Sequence, residues 1–179
     1  MELKSGENKL SGKRGYFRVD DVLPLIAKKV TYDPSCRKSR VFSGYNIEIT
    51  DTEVPDETIN LGLWKMLVEI NNKLEMILER LQLESEGFTK AENKQVNISE
   101  SGIKFIMNEK AETGDVLEIK ILLSSSPSLG ILTYGNVVRA NSIGDGKYEV
   151  ALHFSDMNDE VREKIIQHIL KRQRGIMRK

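Results

Sequence analysis

The stretch of sequence that decides the fold is KQVNISESGIKFIMNEKAETGDVLEIKILL, residues 94–123. Its short apolar runs are separated by residues rich in Gly, Asn, Asp and Ser. Apolar runs bounded by such turn-forming residues predict β-strands joined by turns. The predicted strands lie at residues 95–98, 103–107 and 116–123, with a turn at residues 108–114.

The same pattern extends to both sides of this stretch. Residues 19–30 form another predicted strand, in which Pro24 suits an edge position or a bulge. Residues 41–50 have some strand character. Strands at such even spacing indicate a small antiparallel barrel, a mainly β fold. The remaining predicted strands lie at residues 131–139 and 148–154, with turns at residues 124–127 and 141–146.

A basic amphipathic helix is predicted near the C-terminus. Asn158 and Asp159 provide a cap signal just before it, and residues 171–174 add basic side chains at its end. Its apolar face consists of Val161, Ile165, Ile166, Ile169 and Leu170.

The strongest helix signal lies at residues 57–84, where apolar residues are spaced alternately by four and three. This heptad seam consists of Leu63, Leu67, Ile70, Leu74, Ile77 and Leu81, flanked by Trp64, Met66 and Leu78. With leucine at the a positions and isoleucine at two of the d positions, the seam favours a homo-oligomer, a tetramer in particular. The alternative is an amphipathic helix lying on its own domain's core. We favour self-association because a small barrel cannot easily cover so long a helix.

Composition limits the classes of function. The chain has 39% hydrophobic and 30% charged residues, and no stretch approaches the roughly 18 apolar residues of a membrane helix. Residues 1–13 are polar and lack the apolar core of a signal peptide, so we expect a cytoplasmic protein without membrane insertion. The single cysteine, Cys36, leaves no disulfide and no cysteine-cluster metal site.

The sequence offers little for catalysis. We expect no enzyme, no metal and no cofactor, because no Ser/His/Asp set, metal cluster or phosphate loop is apparent. His153 and His168 fall on a predicted strand and helix and are interpreted as structural. Asp20 and Asp21 are adjacent on a predicted strand, where they face opposite sides and make a poor carboxylate pair.

Charge is distributed unevenly although the net charge is zero. Residues 1–18 carry a net +3 and residues 162–179 a net +6, whereas residues 48–118 carry a net −9. This asymmetry suggests that the termini serve an anion. The acidic middle would repel a nucleic acid polymer, and aromatic residues at 6% provide few stacking platforms. A small dianionic ligand needs only a local positive pocket.

Two short motifs indicate what that anion is. Arg14-Gly-Tyr-Phe-Arg18 sets two arginines four residues apart, next to a predicted strand. A guanidinium forms bidentate hydrogen bonds with a phosphate or with guanine O6 and N7, and it also stacks on a purine. In Asn97-Ile-Ser-Glu-Ser-Gly102, Asn97 and Ser99 supply short polar groups that reach base edges or phosphate, and Gly102 permits a backbone angle or a close approach. Together the motifs indicate a site for guanine and phosphate.

In this order the motifs resemble those of the PilZ family, bacterial receptors for cyclic di-GMP, which carry Arg-x-x-x-Arg followed by (Asp/Asn)-x-Ser-x-x-Gly. The run Gly135-Asn-Val-Val-Arg139, the strand at residues 148–154 and the basic helix fit the same family. The resemblance covers about residues 13–32 and 94–174. It implies a six-stranded antiparallel barrel with a C-terminal helix, interrupted here by an inserted, coiled-coil-like oligomerising helix.

The resemblance also divides the chain and assigns a site. It implies a flexible tail at residues 1–13, a barrel of residues 14–32 and 94–174, an insertion at residues 33–93, and a basic tail at residues 175–179. Arg139 would add a third cation to the site; the alternative is that it forms a salt bridge at the rim with an acidic neighbour. A basic residue at position 13 would favour binding of the ligand as an intercalated dimer. The implied cyclic di-GMP ligands are Lys13, Arg14, Arg18, Asn97, Ser99, Gly102 and Arg139.

These observations favour a receptor that cyclic di-GMP switches, with residues 1–18 ordered against the barrel by the ligand and a new surface shown to a protein partner. Two alternatives stay open: a ligand-independent scaffold that assembles through its helix, and a small nucleic-acid-binding barrel. Because both motifs are intact, the receptor is the leading hypothesis.

Overall fold

The computed structural model describes residues 17–31, 38–42, 60–123, 129–155 and 157–177. Seven strands and two α-helices follow one another in these ranges, with a short 3₁₀ helix at Phe88–Lys90. The strands are β1 (Arg18–Lys29), β2 (Arg40–Phe42), β3 (Glu92–Ser99), β4 (Gly102–Met107), β5 (Val116–Leu123), β6 (Leu129–Gly144) and β7 (Lys147–Ser155). The helices are α1 (Leu61–Ser85), between β2 and β3, and α2 (Asp159–Met177), after β7.

Six of the strands close into a barrel. They pair in the order β6-β5-β1-β3-β4-β7, and β7 pairs back with β6, so that this ring has no free edge. Every pairing is antiparallel, and the three-residue β2 adds to β6 outside the ring. The predicted fold class, a mainly β six-stranded antiparallel barrel with a C-terminal helix and a second long helix, is confirmed.

The barrel interior follows from period-two alternation along each strand. In β5, Leu117, Ile119 and Ile121 are fully buried, while the residues between them are partly exposed. The predicted apolar face of α2 packs on the same core through Val161, Ile165 and Ile169, which are at most 3% exposed. The remaining two members of that face lie at its margin, where Leu170 is 39% exposed.

Polar contacts fix both ends of α2. The side chain of Asn158 accepts a hydrogen bond from the Val161 amide at 2.9 Å, as the predicted cap requires. Near the other end, Asp21 of β1 contacts His168 Nε2 at 2.9 Å and Arg172 Nη2 at 2.7 Å. The interpretation of His168 as structural therefore agrees with its contacts, and Asp21 faces away from Asp20 as strand geometry demands.

Two elements differ from the prediction. The turn expected at residues 141–146 is shorter, because β6 continues to Gly144 opposite β7 and only Asp145 and Gly146 form the turn. Both turn residues have positive φ, 51° and 69°, which is the conformation of a tight two-residue hairpin turn. Residues 85–93 have a polar sequence that predicts a linker, but Phe88 within them is 1% exposed and packs edge-on against Phe42 at 5.3 Å between centroids.

Helix α1 keeps its heptad seam away from the barrel. It begins at Leu61, with the Asn60 side chain capping the first turn, and residues 57–59 of the predicted helix lie outside the described ranges. Near its C-terminal end Leu83 lies over Gly130 of β6, on the helix face opposite the seam. The six seam side chains are 47–56% exposed. They do not lie on the core of their own barrel, which was the alternative interpretation.

Candidate functional site

Strand register brings Arg18, the last residue of the first predicted motif, beside the second motif on the outer surface of the barrel. Successive cross-strand partners on β1, β3, β4, β7 and β6 form two parallel rows of residues. The Arg18 row consists of Arg18, Ser99, Gly102, His153 and Asn136. The Asp20 row consists of Asp20, Asn97, Lys104, Ala151 and Arg139.

A cleft of about 530 Å³ lies over these rows. Where β4 meets β7, Gly102 and Ala151 line the cleft with little or no side chain. Five of the seven predicted ligand-binding residues line it: Arg18, Asn97, Ser99, Gly102 and Arg139. The other two, Lys13 and Arg14, lie outside the described residues, as does Cys36.

The glycine of the second motif is required by a close approach of two strands. A Cβ atom on Gly102 would lie 2.1 Å from the carbonyl oxygen of Leu152 on β7, far inside contact distance. Of the two roles expected for this glycine, the structure shows the close approach. Gly135 of β6 faces the same strand in a similar way, with 2.9 Å to the carbonyl oxygen of His153.

Ser99 holds the turn between β3 and β4 as well as lining the cleft. Its hydroxyl donates to the carbonyl oxygen of Gly102 at 3.1 Å and lies 3.4 Å from the Ser101 hydroxyl. The residue is 4% exposed. Because its proton is used within the turn, Ser99 offers a ligand mainly its oxygen lone pairs.

Asn97 stands between an anion and a cation. Its side-chain nitrogen Nδ2 donates to Asp20 Oδ1 at 2.7 Å on the β1 side, and its cross-strand partner on β4 is Lys104. Lys104 in turn contacts Glu149 of β7 at 3.1 Å. The Asn97 amide is therefore held from one side before any ligand arrives.

Arg139 makes the rim ion pair that was its alternative interpretation, and its side chain also lines the cleft. Its Nη2 lies 3.8 Å from Glu149 Oε1. With the Arg139 side chain 58% exposed, such a long surface ion pair stabilises the fold little. The guanidinium is therefore easily redirected toward an anion.

The charge of the cleft is positive. Among its described lining residues, Arg18, Lys104 and Arg139 are basic and none is acidic. Asp20 and Glu149 lie instead on an adjoining groove of about 430 Å³, which shares Asn97 and Lys104 with the cleft. A cleft of this size with three cations suits a small anion that also presents hydrogen-bonding edges.

Sequence reasoning missed Lys104, Ser101 and His153 as cleft residues. The sequence could have predicted Lys104. It lies two residues after Gly102, and because side chains alternate along a strand, the buried Ile103 and Phe105 on either side turn Lys104 outward. His153 enters the cleft only through its pairing with Gly102, and nothing in the sequence indicates that register.

Within the described residues, no three His, Cys, Asp or Glu side chains come together in a way that would hold a metal ion. Neither of the two α-helices in the described ranges is long and apolar enough to span a membrane.

Comparison with known proteins agrees with the fold. The family model described as PilZ domain matches residues 79–171. No curated protein is significantly similar in sequence to this chain.

Solved structures resemble this chain at low identity. A pathogenic protein from Xanthomonas campestris, described as a tetrameric PilZ domain self-assembled via an unusual helical bundle, superposes with a TM-score of 0.60. The two chains are 18% identical, and the match covers 93% of each. The inhibitor of motility MotI/DgrA from Bacillus subtilis superposes with a TM-score of 0.50 at 15% identity, over 92% of this chain and 53% of that protein.

Proposed function

The chain belongs to the PilZ domain family, and from that premise we propose that it is a cytoplasmic bacterial receptor for cyclic di-GMP that signals through a protein partner. The observation that carries the proposal is the cleft in which Arg18, Asn97, Ser99, Gly102 and Arg139 meet. Four of these come from two motifs separated in the sequence by the whole of α1, and register alone brings them together.

The chemistry of the ligand fits the chemistry of the cleft. Cyclic di-GMP carries two phosphates and two guanines, so it needs cations, stacking surfaces and base-edge partners in one place. Arg18 and Arg14 hold phosphate and base through forked hydrogen bonds and stacking, and Lys13 adds charge. On the barrel, Asn97 and Ser99 meet base edges or phosphate, and Arg139 supplies a cation from the opposite side.

Ligand binding acts as a switch if it changes the contacts of the N-terminal segment. Arg18 is the first residue of β1 and lines the cleft, so the segment that carries Lys13 and Arg14 is joined in sequence to the edge of the cleft. Ordering of residues 1–18 against the barrel then alters the surface seen by a partner. Hydrogen exchange tests this step: ligand should increase amide protection in residues 12–19, and unchanged protection would contradict it.

The decisive test is isothermal titration of the protein with cyclic di-GMP. Arg14→Ala and Arg18→Ala should each weaken binding by about tenfold or more, since each removes hydrogen bonds between charged groups. Arg174→Ala is the matched control, because Arg174 belongs to a second Arg-x-x-x-Arg sequence, with Arg178, outside the cleft. Equal losses in all three variants would point to non-specific attraction, and no binding by the unmodified protein would refute the receptor.

We further propose that the protein assembles as a homotetramer through the seam of α1. Six leucine and isoleucine side chains along this 25-residue helix are about half exposed. Leucine at a and isoleucine at d favour more than two helices. The Xanthomonas campestris protein, described as a tetramer built by a helical bundle, supports the same arrangement here.

The exposed seam also supports a second candidate, a scaffold that assembles partners without binding a ligand. This function needs α1 and the barrel but neither motif. It becomes the better account if titration shows no binding at micromolar ligand while the protein remains oligomeric.

A further inference from the structure

We propose that Asp20 determines the base specificity of the cleft by orienting the side-chain amide of Asn97. This inference rests on the proposed function, because it concerns how that same cleft selects guanine. Asp20 belongs to neither motif, and its role follows from the 2.7 Å contact between its Oδ1 and Nδ2 of Asn97.

The orientation of the amide is dictated by Asp20. Asp20 is exposed, and an ionised carboxylate only accepts hydrogen bonds, so the atom of Asn97 that faces it must be the NH₂ group. The amide oxygen and nitrogen of asparagine are otherwise hard to tell apart, but this acceptor-only partner requires one of the two orientations. The carbonyl oxygen of Asn97 is thereby turned away from Asp20.

As a result, Asn97 presents its carbonyl oxygen to a base in the cleft, and Asp20 presents a second acceptor from the adjoining groove, which shares Asn97 with the cleft. Guanine carries two adjacent donors, N1–H and the N2 amino group, and both match acceptors. Adenine carries an acceptor, N1, beside its amino group, and that lone pair would meet an oxygen. Hypoxanthine keeps N1–H but lacks the amino group, so it should fall between the two. A site built to satisfy specific hydrogen bonds rejects ligands that leave its polar groups unpaired.

The test measures a ratio of affinities. Cyclic di-GMP, cyclic di-IMP and cyclic di-AMP are titrated into the unmodified protein and into Asp20→Asn. In the variant both neighbouring residues are amides, either of which can donate, so the Asn97 amide is free to flip. The preference for cyclic di-GMP over cyclic di-AMP should fall by about tenfold, the worth of one hydrogen bond to a charged group. Cyclic di-IMP should again lie between.

Two further variants separate orientation from charge. In the double variant Asp20→Asn with Asn97→Asp, the donor and acceptor exchange places and position 97 presents an acceptor again, so the preference for guanine should return. Glu149→Gln removes a carboxylate from the same groove without touching Asn97, and it should change all three affinities in parallel.

The outcomes distinguish this inference from the function on which it rests. If the unmodified protein binds none of the three nucleotides, both the receptor and the inference are refuted. If it binds cyclic di-GMP and Asp20→Asn keeps the original preference, or the double variant fails to restore it, the receptor stands and the inference is refuted. In the free protein, the Asn97 side-chain NMR signals should shift in Asp20→Asn; unchanged signals would also refute the inference.

Discussion

The barrel and helix α1 contain the same apolar residue types but bury them to different extents. Leu117, Ile119 and Ile121 in the barrel are fully buried, whereas Leu67 and Leu74 on α1 are 50% and 53% exposed. Burying a leucine or isoleucine side chain stabilises a structure by about 1.5–3 kcal/mol. The barrel obtains this stabilisation from burial within a single chain, whereas the half-exposed side chains of the seam do not. The barrel core is therefore complete within one chain, whereas the seam of α1 leaves apolar surface exposed.

Breaking the barrel at Gly102 should have the largest effect. Gly102→Ala would place a methyl group 2.1 Å from the backbone carbonyl oxygen of Leu152, which cannot move without separating β4 from β7. We expect a loss of about 3 kcal/mol or more in the free energy of unfolding, measured by urea titration. Gly175→Ala in α2, where no atom lies within 4 Å of the new methyl group, should stabilise slightly. Equal stability of Gly102→Ala and the unmodified protein would contradict the close approach.

Polar substitutions in the seam should dissociate the assembly and leave the barrel intact. Leu74→Asn or Ile77→Asn places an amide where the helices of neighbouring copies would meet. We expect a smaller mass in sedimentation, with cyclic di-GMP binding nearly unchanged. Met76→Asn is the matched control, because Met76 is 68% exposed on the same helix but outside the seam. An unchanged mass in both seam variants would show that the seam does not join the copies.

Glu79 tests the face of α1 opposite the seam and should have the smallest effect. It is 8% exposed, its Oε1 has no hydrogen-bond partner among the described residues, and burial raises the pKa of its carboxyl above the ordinary 4.5. A raised pKa means that the folded state binds the proton more tightly. The contribution of Glu79 to stability is therefore greatest below pH 4.5 and is lost as the pH rises through the folded-state value.

Glu79→Gln should remove this fall and raise stability at pH 7 by about 1 kcal/mol. The check is thermal unfolding between pH 4 and 7, beside Glu84→Gln, which removes an exposed carboxylate from the same helix. Identical pH profiles for Glu79→Gln and the unmodified protein would show that the carboxylate is not destabilising.

Local patterns in the sequence predicted much of the fold. Alternation along residues 116–123 gave β5 with its actual bounds, because one face of that strand is buried throughout. The cap at Asn158 and the start of the closing helix also followed from local chemistry. Phe88 could not be predicted as a core residue, since its polar neighbours indicate a linker and its burial comes from packing against Phe42 and over Gly130.

The sequence predicted those residues of the candidate site that belong to one of the two motifs. Arg18, Asn97, Ser99 and Gly102 line one cleft because β1, β3 and β4 are adjacent. His153 and the contact between Asp20 and Asn97 depend on which residues face each other across strands. A one-residue slip in register would replace every such partner, and β1 with β3 and β4 with β7 are not joined by a short turn that would fix their register.

The pairing of β1 has a consequence for the order in which the protein is made. Its partners in the barrel, β3 and β5, both follow α1 in the chain, and β5 begins only at Val116. At about 5–20 residues per second, the ribosome takes roughly ten seconds to reach that point after β1 emerges. A helix forms in about a microsecond, so α1 exists with its seam exposed while β1 is still unpaired. If copies of the chain assemble through this seam as proposed, neighbouring nascent chains on one messenger RNA can join before any barrel has closed.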